Sequence, residues 1–302
     1  MKQHRRIGRN TLNTWLWGYV FVAPVMIGIV VFLIGPLFYA FYLSLTDWDG
    51  LSKAGFVGFR NFRRLFLDRE LYIEFFNTLK YMIGVVPLTL ILALCIASLL
   101  NQEVRGRSFF RTAFFLPMVT MPTAVAAVWR WLYNSQYGLV NYLTRPFGKN
   151  PMWLGDPQYI LTAVILVAVW SGVGYASIIL LAGLQNIPKT YYEAAEIDGA
   201  GPFRQFTRIT APLLSPSIFF LTITSMIGAF KAFDLIFMFS GGGAASGPTS
   251  QAVRTMVYGV YHKGFVLMKM GYAAAEAVVL FAVILLVTLV QFYLQKKLVF
   301  YD

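Results

Sequence analysis

Six long apolar blocks, separated by charged residues, constrain what this chain can fold into more than any other feature of the sequence. A helix that crosses the hydrocarbon core of a bilayer needs about 20 mainly apolar residues. Taken between charged residues, the blocks are about that long and lie at 15–45, 80–103, 111–130, 156–189, 208–239 and 276–296. None alternates apolar and polar residues strictly, as a membrane barrel strand would. The predicted fold class is therefore all-α, a polytopic membrane protein with six transmembrane helices.

Composition excludes several other classes of protein. Charged residues make up 13% of the chain and hydrophobic residues 58%, whereas about a quarter of a soluble domain is charged. The net charge of +12 does not indicate nucleic-acid binding, because the basic residues lie mainly between the apolar blocks rather than in one patch. Cys95 lies inside an apolar block and the two histidines are isolated. We therefore expect contact with membrane lipid, and neither a nucleic-acid partner nor a metal site.

The charges that flank the first block indicate its orientation. The tail at 1–14 carries four basic residues and no acid, and basic residues near the first helix favour a cytoplasmic N-terminus. An even number of spans then places both termini in the cytoplasm. Counted over all segments with this tail included, the cytoplasmic side carries only a small excess of basic residues. The segment at 46–74 mixes arginines with apolar residues at helical spacing, so we predict an external amphipathic helix at the membrane interface whose apolar face holds Phe59, Phe62, Leu65 and Phe66.

The loop at 186–216 is too polar to span a membrane and contains two short amphipathic patterns. Pro188 suits the start of a first helix, and the residues from Gly199 to Pro202 break the chain. Apolar residues then recur three apart in a second short helix, at Phe203, Phe206 and Ile209. This pattern favours a docking element, and the alternative is a loop that merely connects two spans.

The same loop resembles the EAA loop of permease subunits from binding-protein-dependent ABC importers. The resemblance rests on Glu193-Ala194-Ala195, on Asp198-Gly199-Ala200 and on Ile209-Thr210-x-Pro212, with Ala211 where members usually carry leucine. In that family the loop is cytoplasmic and inserts its coupling helices into a cleft of the ATPase subunit. The resemblance implies that Arg204 contacts either the ATPase or lipid headgroups. The ATPase-coupling residues implied are Glu193, Ala194, Ala195, Asp198, Gly199, Arg204 and Pro212.

Further stretches resemble the maltose- and glycerol-phosphate-type branch, which imports carbohydrates. They are Asn77-Thr78-Leu79, Phe230 to Asp234 followed by Gly241-Gly242-Gly243, and Met270-Gly271-Tyr272-Ala273. The resemblance implies a bacterial-type inner-membrane location, a sugar or sugar-like solute, a second permease, two ATPase subunits and an extracytoplasmic binding protein. The chain has no Walker sequence. We therefore expect it to be no enzyme and to bind no cofactor, with ATP and Mg²⁺ held by the ATPase subunits.

Two charged residues inside the fifth block indicate where a solute could pass. Ionisable residues at membrane depth usually face the bundle interior, and Lys231 and Asp234 lie three apart. On one helix they would either pair only with each other or line a pathway. A cation there would suit an acidic solute. With the positions that resemble solute contacts of maltose-type permeases, the predicted pathway residues are Gly172, Tyr175, Gly228, Phe230, Lys231, Phe233 and Asp234.

Other functions remain as alternatives. The solute could be a glycerophosphodiester or a sugar phosphate rather than a sugar. A secondary transporter should carry its own coupling site and often shows inverted repeats, and a membrane enzyme needs a catalytic constellation; the sequence shows none of these. The predicted organisation is a cytoplasmic tail at 1–14, a first helix at 15–45, an external segment at 46–74, a permease core at 75–296 and a cytoplasmic tail at 297–302.

Overall fold

The computed structural model describes residues 9–102, 105–147, 151–242 and 247–299. This part of the chain is helical apart from connecting segments and one isolated β-bridge between Thr46 and Phe56. The first eight α-helices are α1 Arg9–Ile29, α2 Gly35–Ser44, α3 Arg60–Leu65, α4 Arg69–Asn101, α5 Arg107–Val119, α6 Pro122–Leu132, α7 Leu139–Thr144 and α8 Ile160–Gln185. The others are α9 Lys189–Ile197, α10 Pro202–Gln205, α11 Ala211–Phe230, α12 Asp234–Phe239, α13 Pro248–Val253, α14 Met256–Tyr261 and α15 Met270–Leu298. Three π-helical segments, Val30–Ile34, Phe206–Thr210 and His262–Val266, and one 3-10 turn, Arg145–Phe147, join some of them.

The predicted all-α, polytopic fold class is confirmed. Five helical runs in the described chain are long and apolar enough to cross a membrane, and a sixth span results if the bent pair α5 and α6 counts as one. The five runs are Thr14–Ser44, Arg69–Asn101, Ile160–Gln185, Pro202–Phe239 and Met270–Lys296. Residues 1–8 and 300–302 of the two predicted tails, and residues 243–246 of the glycine-rich stretch, lie outside the described residues.

The third predicted span is not one straight helix. Helices α5 and α6 meet at an angle of 101°, and α6 begins at Pro122. Proline has no N–H to continue a helix, and its ring pushes the preceding residue out of the helical region. Met121 accordingly has φ −57° and ψ 132°. Residues on both sides of this bend, Pro117 and Val125 among them, line a space beside α8.

The long helices pack into a bundle with two distinguishable ends. Helices α4 and α8 run parallel, because Gly84 lies beside Ile165 and Gly172 lies beside Thr89. Helix α11 runs antiparallel to both, with Leu214 against the last turns of α8. We call the end that carries residues 186–201 the loop end, and the end that carries residues 46–68 and 247–269 the far end.

Helices α5 and α8 approach each other very closely at Gly174. A Cβ atom at this position would overlap the carbonyl oxygen of Phe114. Glycine is therefore the residue that this backbone contact requires. The contact holds the first half of the bent span against α8, and the second half, α6, contacts α8 through Trp129, whose ring lies 5.5 Å from that of Trp170.

The first long helix stands apart from most of the bundle. Its apolar side chains are exposed, with Phe21 76% and Phe32 77% accessible. The last part, α2, packs against α15, where the rings of Phe41 and Phe281 meet edge to face at 6.1 Å. The helix extends from Arg9 to Ser44 and includes the π-helical segment Val30–Ile34. It therefore begins earlier than the predicted first helix at 15–45.

The segment at 46–74 differs from its predicted structure. Helix α3 covers only Arg60–Leu65. Helix α4 already begins at Arg69, where the Asp68 side chain caps it by accepting the N–H of Glu70 at 2.9 Å. The predicted apolar face is split, because Leu65 is fully buried whereas Phe59 is 76% exposed. The prediction of a single amphipathic face was wrong, because the helix begins after Phe59 and ends before Phe66.

Candidate functional site

A cavity of about 480 Å³ lies between α4, α8, the bend of the third span and the break after α11. A cavity of this size suits a small solute. Its wall combines hydroxyl groups, two charged groups, aromatic rings and six glycine or alanine positions. The polar, charged, aromatic and glycine residues among those lining it are Tyr81, Thr89, Thr120, Ser171, Gly172, Tyr175, Thr224, Ser225, Gly228, Lys231, Phe233 and Asp234.

Six of the seven predicted pathway residues line this cavity, and Phe230 does not. The Phe230 side chain is 1% exposed and packs with Leu65, Met256 and Ala275. Successive residues of an α-helix are about 100° apart, so Phe230 lies on the face of α11 opposite to Gly228. The predicted role of Phe230 is therefore corrected to a packing role, and the other six remain pathway candidates.

The two charged residues do not share one helix, contrary to our expectation. Helix α11 ends at Phe230 with Lys231 as its capping residue, and α12 begins at Asp234. Among the described residues no ion pair joins them. A cation is favoured at a helix C-terminus and an anion in a first turn, so each charge is stabilised locally. Both are exposed at the cavity wall.

Two hydroxyl groups on the cavity wall were not identified from the sequence. Thr89 Oγ1 and Ser171 Oγ have no hydrogen-bond partner in the part of the chain that the structure describes. An unsatisfied buried hydroxyl costs about 1–3 kcal/mol, so these atoms are available to a ligand. A Ser or Thr inside an apolar block is a common residue, so no local pattern marks these two positions.

Gly228 contributes open space to the cavity. In the described chain no heavy atom outside the neighbouring backbone lies within 4 Å of the position that its Cβ would take. Glycine inside a helix costs about 1 kcal/mol relative to alanine, and here no protein contact requires it. The missing side chain leaves room next to Lys231 and Gly172.

The loop at 186–216 begins with α9, which ends in a glycine turn. The N–H of Ala200 donates to the carbonyl of Ala195 at 2.8 Å, and the N–H of Gly199 donates to the carbonyl of Glu196 at 3.0 Å. These two bonds form a Schellman motif, and Gly199 adopts the left-handed φ of +73° that it needs. Ile197 next to this turn is 87% exposed.

The second predicted short helix is not separate from the fifth span. Residues from Pro202 through α10, the π-helical segment Phe206–Thr210 and α11 form one helical run. The π-helical segment ends at Thr210, two residues before Pro212, whose missing N–H and bulky ring disturb a regular α-helix. The Tyr192 and Thr210 hydroxyls, 2.9 Å apart, hold α9 against this run.

The predicted coupling residues lie on the surface of this loop. Half-buried positions are Ala195 and Pro212. The exposed ones are Glu193, Ala194, Asp198, Gly199 and Arg204. Phe203 is 81% exposed beside them, so the loop presents both charged and apolar groups to its surroundings.

A buried charge cluster lies at the far end. Lys263 Nζ is 2.6 Å from Glu74 Oε2 and 2.9 Å from Glu276 Oε2, and the three side chains are at most 4% exposed. We call these residues the charge cluster. Neither Glu74 nor Lys263 carries a predicted role, because each lies between apolar blocks, where charged residues are ordinary.

A second cavity, of about 530 Å³, opens at the far end beside α3 and the start of α15. Its carboxylates are already engaged. Asp47 pairs with Arg60 at 3.5 Å, and Asp68 accepts the Tyr272 hydroxyl at 2.8 Å. Backbone N–H groups three and two residues further on lower the pKa of Asp49 from 3.8 to about 2. The first cavity, with its unpaired groups, is therefore the stronger ligand candidate.

Comparison with known families decides between the remaining classes of membrane protein. Residues 85–300 match the family described as "Binding-protein-dependent transport system inner membrane component". The chain belongs to this family. The resemblance of the 186–216 loop to ABC importer permeases is thereby confirmed, and the chain is an inner-membrane permease subunit.

Relatives of this permease match over nearly the whole chain. It is 35% identical to the probable ABC transporter permease protein YesP of Bacillus subtilis strain 168, covering 100% of this chain and 96% of the relative. It is 34% identical to the trehalose/maltose transport system permease protein MalF of Thermococcus litoralis, covering 90% and 91%. It is 35% identical to the sn-glycerol-3-phosphate transport system permease protein UgpA of Salmonella typhimurium strain LT2, covering 94% and 96%.

Solved structures share the fold of this permease. One chain of a bacterial ABC transporter that imports the acidic polysaccharide alginate superposes with a TM-score of 0.80 at 22% identity, covering 96% of this chain and 98% of that chain. A chain from the alginate transporter in complex with its pentasaccharide-bound periplasmic protein gives 0.79 at 23% identity, covering 96% of each. At these identities the likeness concerns the fold.

Proposed function

We propose that this permease forms, with a related second permease, the membrane pathway for a sugar or sugar-like solute that an extracytoplasmic binding protein delivers. The cavity carries the proposal, because it brings hydroxyls, aromatic rings and unpaired charges together where three helices and the bent span meet. Sugars bind through such a mixture of polar groups and ring faces. Relatives named for trehalose, maltose and sn-glycerol 3-phosphate support a carbohydrate or a related solute.

The energy source in this proposal is a pair of ATPase subunits that bind the ATP and Mg²⁺. The exposed loop at 186–201 is their contact, and it lies in the cytoplasm together with both termini. Two features support this orientation: the acid-free basic tail and the position of the loop at the end of the bundle opposite to residues 46–68. The permease moves the solute and leaves it chemically unchanged.

Charge reversal at Glu193 tests the proposed contact. In the complete complex, reconstituted with its binding protein, we expect Glu193→Lys to lower solute-stimulated ATP hydrolysis at least tenfold. The exposed carboxylate on α9 would meet a basic side chain of the ATPase, and lysine would repel it; like-charge juxtaposition across an interface costs several kcal/mol. ATP hydrolysis is measured as phosphate release with and without solute.

The matched control is Glu70→Lys, which makes the same charge change at an exposed position of the far end. It should keep stimulation within twofold. If Glu193→Lys assembles and is stimulated like the wild type, the loop is only a connector. If the chain transports solute without any ATPase, it works as a secondary transporter.

An anionic solute is a second candidate, and Lys231 favours it. This cation faces the cavity, and no carboxylate lies within 4.0 Å of it among the described residues. With an anionic solute we expect Lys231→Met to lower uptake at least tenfold and Lys231→Arg to retain most of it. Uptake of sn-glycerol 3-phosphate and of maltose into proteoliposomes separates the cases, since a neutral solute should depend little on this charge.

A further inference from the structure

The charge cluster joins three elements that are far apart in the sequence. Glu74 belongs to α4, Lys263 to the π-helical segment His262–Val266, and Glu276 to α15. Helix α14 packs directly onto the cluster, because a Cβ at Gly259 would overlap carboxylate oxygens of both glutamates. The lysine therefore fixes the segment that precedes it against two long helices at once.

Further bonds attach that segment to α4. We call residues 247–266 the brace. The Asn77 side-chain amide donates to the carbonyls of Gln251 at 3.0 Å and Arg254 at 3.1 Å, and the backbone N–H of Met256 donates to Thr78 Oγ1 at 3.0 Å. These contacts give a structural role to Asn77 and Thr78, which were singled out in the sequence only because they resemble a stretch of the maltose- and glycerol-phosphate-type branch.

The opposite side of the brace contacts the cavity wall. The Thr255 hydroxyl donates to the carbonyl of Ala232 at 3.2 Å. The ring of Tyr261 lies 5.2 Å from that of Phe233. Ala232 and Phe233 form the break between α11 and α12 and line the cavity beside Lys231. A continuous path of contacts therefore runs from the charge cluster to the wall that carries the two unpaired charges.

Stability alone does not account for the cluster. Removing ions from water costs several kcal/mol per ion, and well-packed neutral residues often replace a buried ion pair without loss of stability. What an ion cluster adds is a defined geometry, because hydrogen-bonded charges tolerate little displacement. We propose that Lys263, held by Glu74 and Glu276, is a positioning residue: through the brace it sets the place of Ala232 and Phe233 in the translocation cavity.

Thiol accessibility tests this without knowledge of the solute. Cys95 is the single cysteine of this chain, so a Cys95→Ser background allows Ala232→Cys or Ser171→Cys to be labelled alone. Both positions line the cavity, but Ser171 lies on α8, and its hydroxyl makes no hydrogen bond to the brace among the described residues. In the assembled complex, N-ethylmaleimide modification of this chain is followed by mass spectrometry.

We expect Lys263→Met to change the modification rate at position 232 at least tenfold and the rate at position 171 less than twofold. Lys269→Met is the matched control, since this neighbouring lysine is exposed and outside the cluster; it should change neither rate. Equal changes at both positions would show general loosening, and no change at position 232 would show that the cluster positions nothing there. Either result overturns the proposal.

A second variant keeps the test decisive if Lys263→Met does not assemble. Thr255→Val keeps the side-chain shape and removes the hydroxyl that reaches Ala232. We expect at least a threefold change in rate at position 232 and none at position 171. Thr222→Val, which removes a hydroxyl bonded within its own helix at 2.7 Å, is the control. An unchanged rate in Thr255→Val refutes the brace whatever Lys263→Met does. Because labelling requires no transport, this result is independent of the proposed function.

Discussion

Replacing Gly228 with leucine should lower solute uptake at least 100-fold while the complex keeps its thermal stability. The new side chain would extend into the cavity, where no protein atom lies within 4 Å of the Cβ position among the described residues. It would therefore displace solute rather than protein. Helix propensity favours leucine over glycine by up to about 1 kcal/mol, so the substitution should not destabilise α11.

Uptake into proteoliposomes and a melting curve of the same preparation measure the two effects separately. Gly18→Leu is the matched control, because its Cβ position is equally open and lies on α1, away from the cavity. That variant should transport at the wild-type rate. If Gly228→Leu transports as well as Gly18→Leu does, the cavity is not on the solute pathway.

Gly174→Ala should damage the fold itself. A Cβ at Gly174 would overlap the carbonyl oxygen of Phe114 and lie 3.1 Å from the backbone nitrogen of Phe115. Backbone atoms cannot move aside as a side-chain end can, so α5 must shift away from α8. Overpacking of this kind costs about 3 kcal/mol or more. We expect a melting temperature lower by roughly 6–12 °C, at about 2–4 °C for each kcal/mol, and poor assembly.

The control for this substitution lies two residues away on the same helix. A Cβ at Gly172 would sit 3.7 Å from the Thr89 Cγ2 atom, which is an ordinary contact. Gly172→Ala should therefore keep the melting temperature within about 2 °C, a shift of at most about 1 kcal/mol. If the two variants melt alike, the close approach of α5 and α8 is not a constraint on the fold.

The number and type of the spans could be predicted because block length alone decides them. Where a prediction was wrong, packing against residues distant in the sequence determined the structure. Pro122 marks a discontinuity, but the 101° angle depends on how α5 packs on α8. Phe230 was grouped with Phe233 because aromatic rings suit a sugar pathway, whereas Phe230 lies on the face of α11 nearly opposite to Gly228 and is buried.

The pathway prediction relied on charge at membrane depth and on family resemblance, and most of its residues do face one cavity. The alternative in which Lys231 pairs only with Asp234 is not found among the described residues, because their helix ends between them. The hydroxyls of Thr89 and Ser171 and the charge cluster carry no local pattern. Only the packing of distant segments reveals them, since Glu74 and Lys263 are 189 positions apart.

That separation has a consequence for how the chain is made. At roughly 5–20 residues per second, the ribosome needs roughly 10–40 s to extend the chain by the 189 positions from Glu74 to Lys263. During that time α4 carries an acidic group whose partner does not yet exist. The far end can reach its final arrangement only when synthesis is almost complete. A half-made chain therefore differs chemically from a finished one at Glu74, whose carboxyl group has no lysine partner until Lys263 has been added.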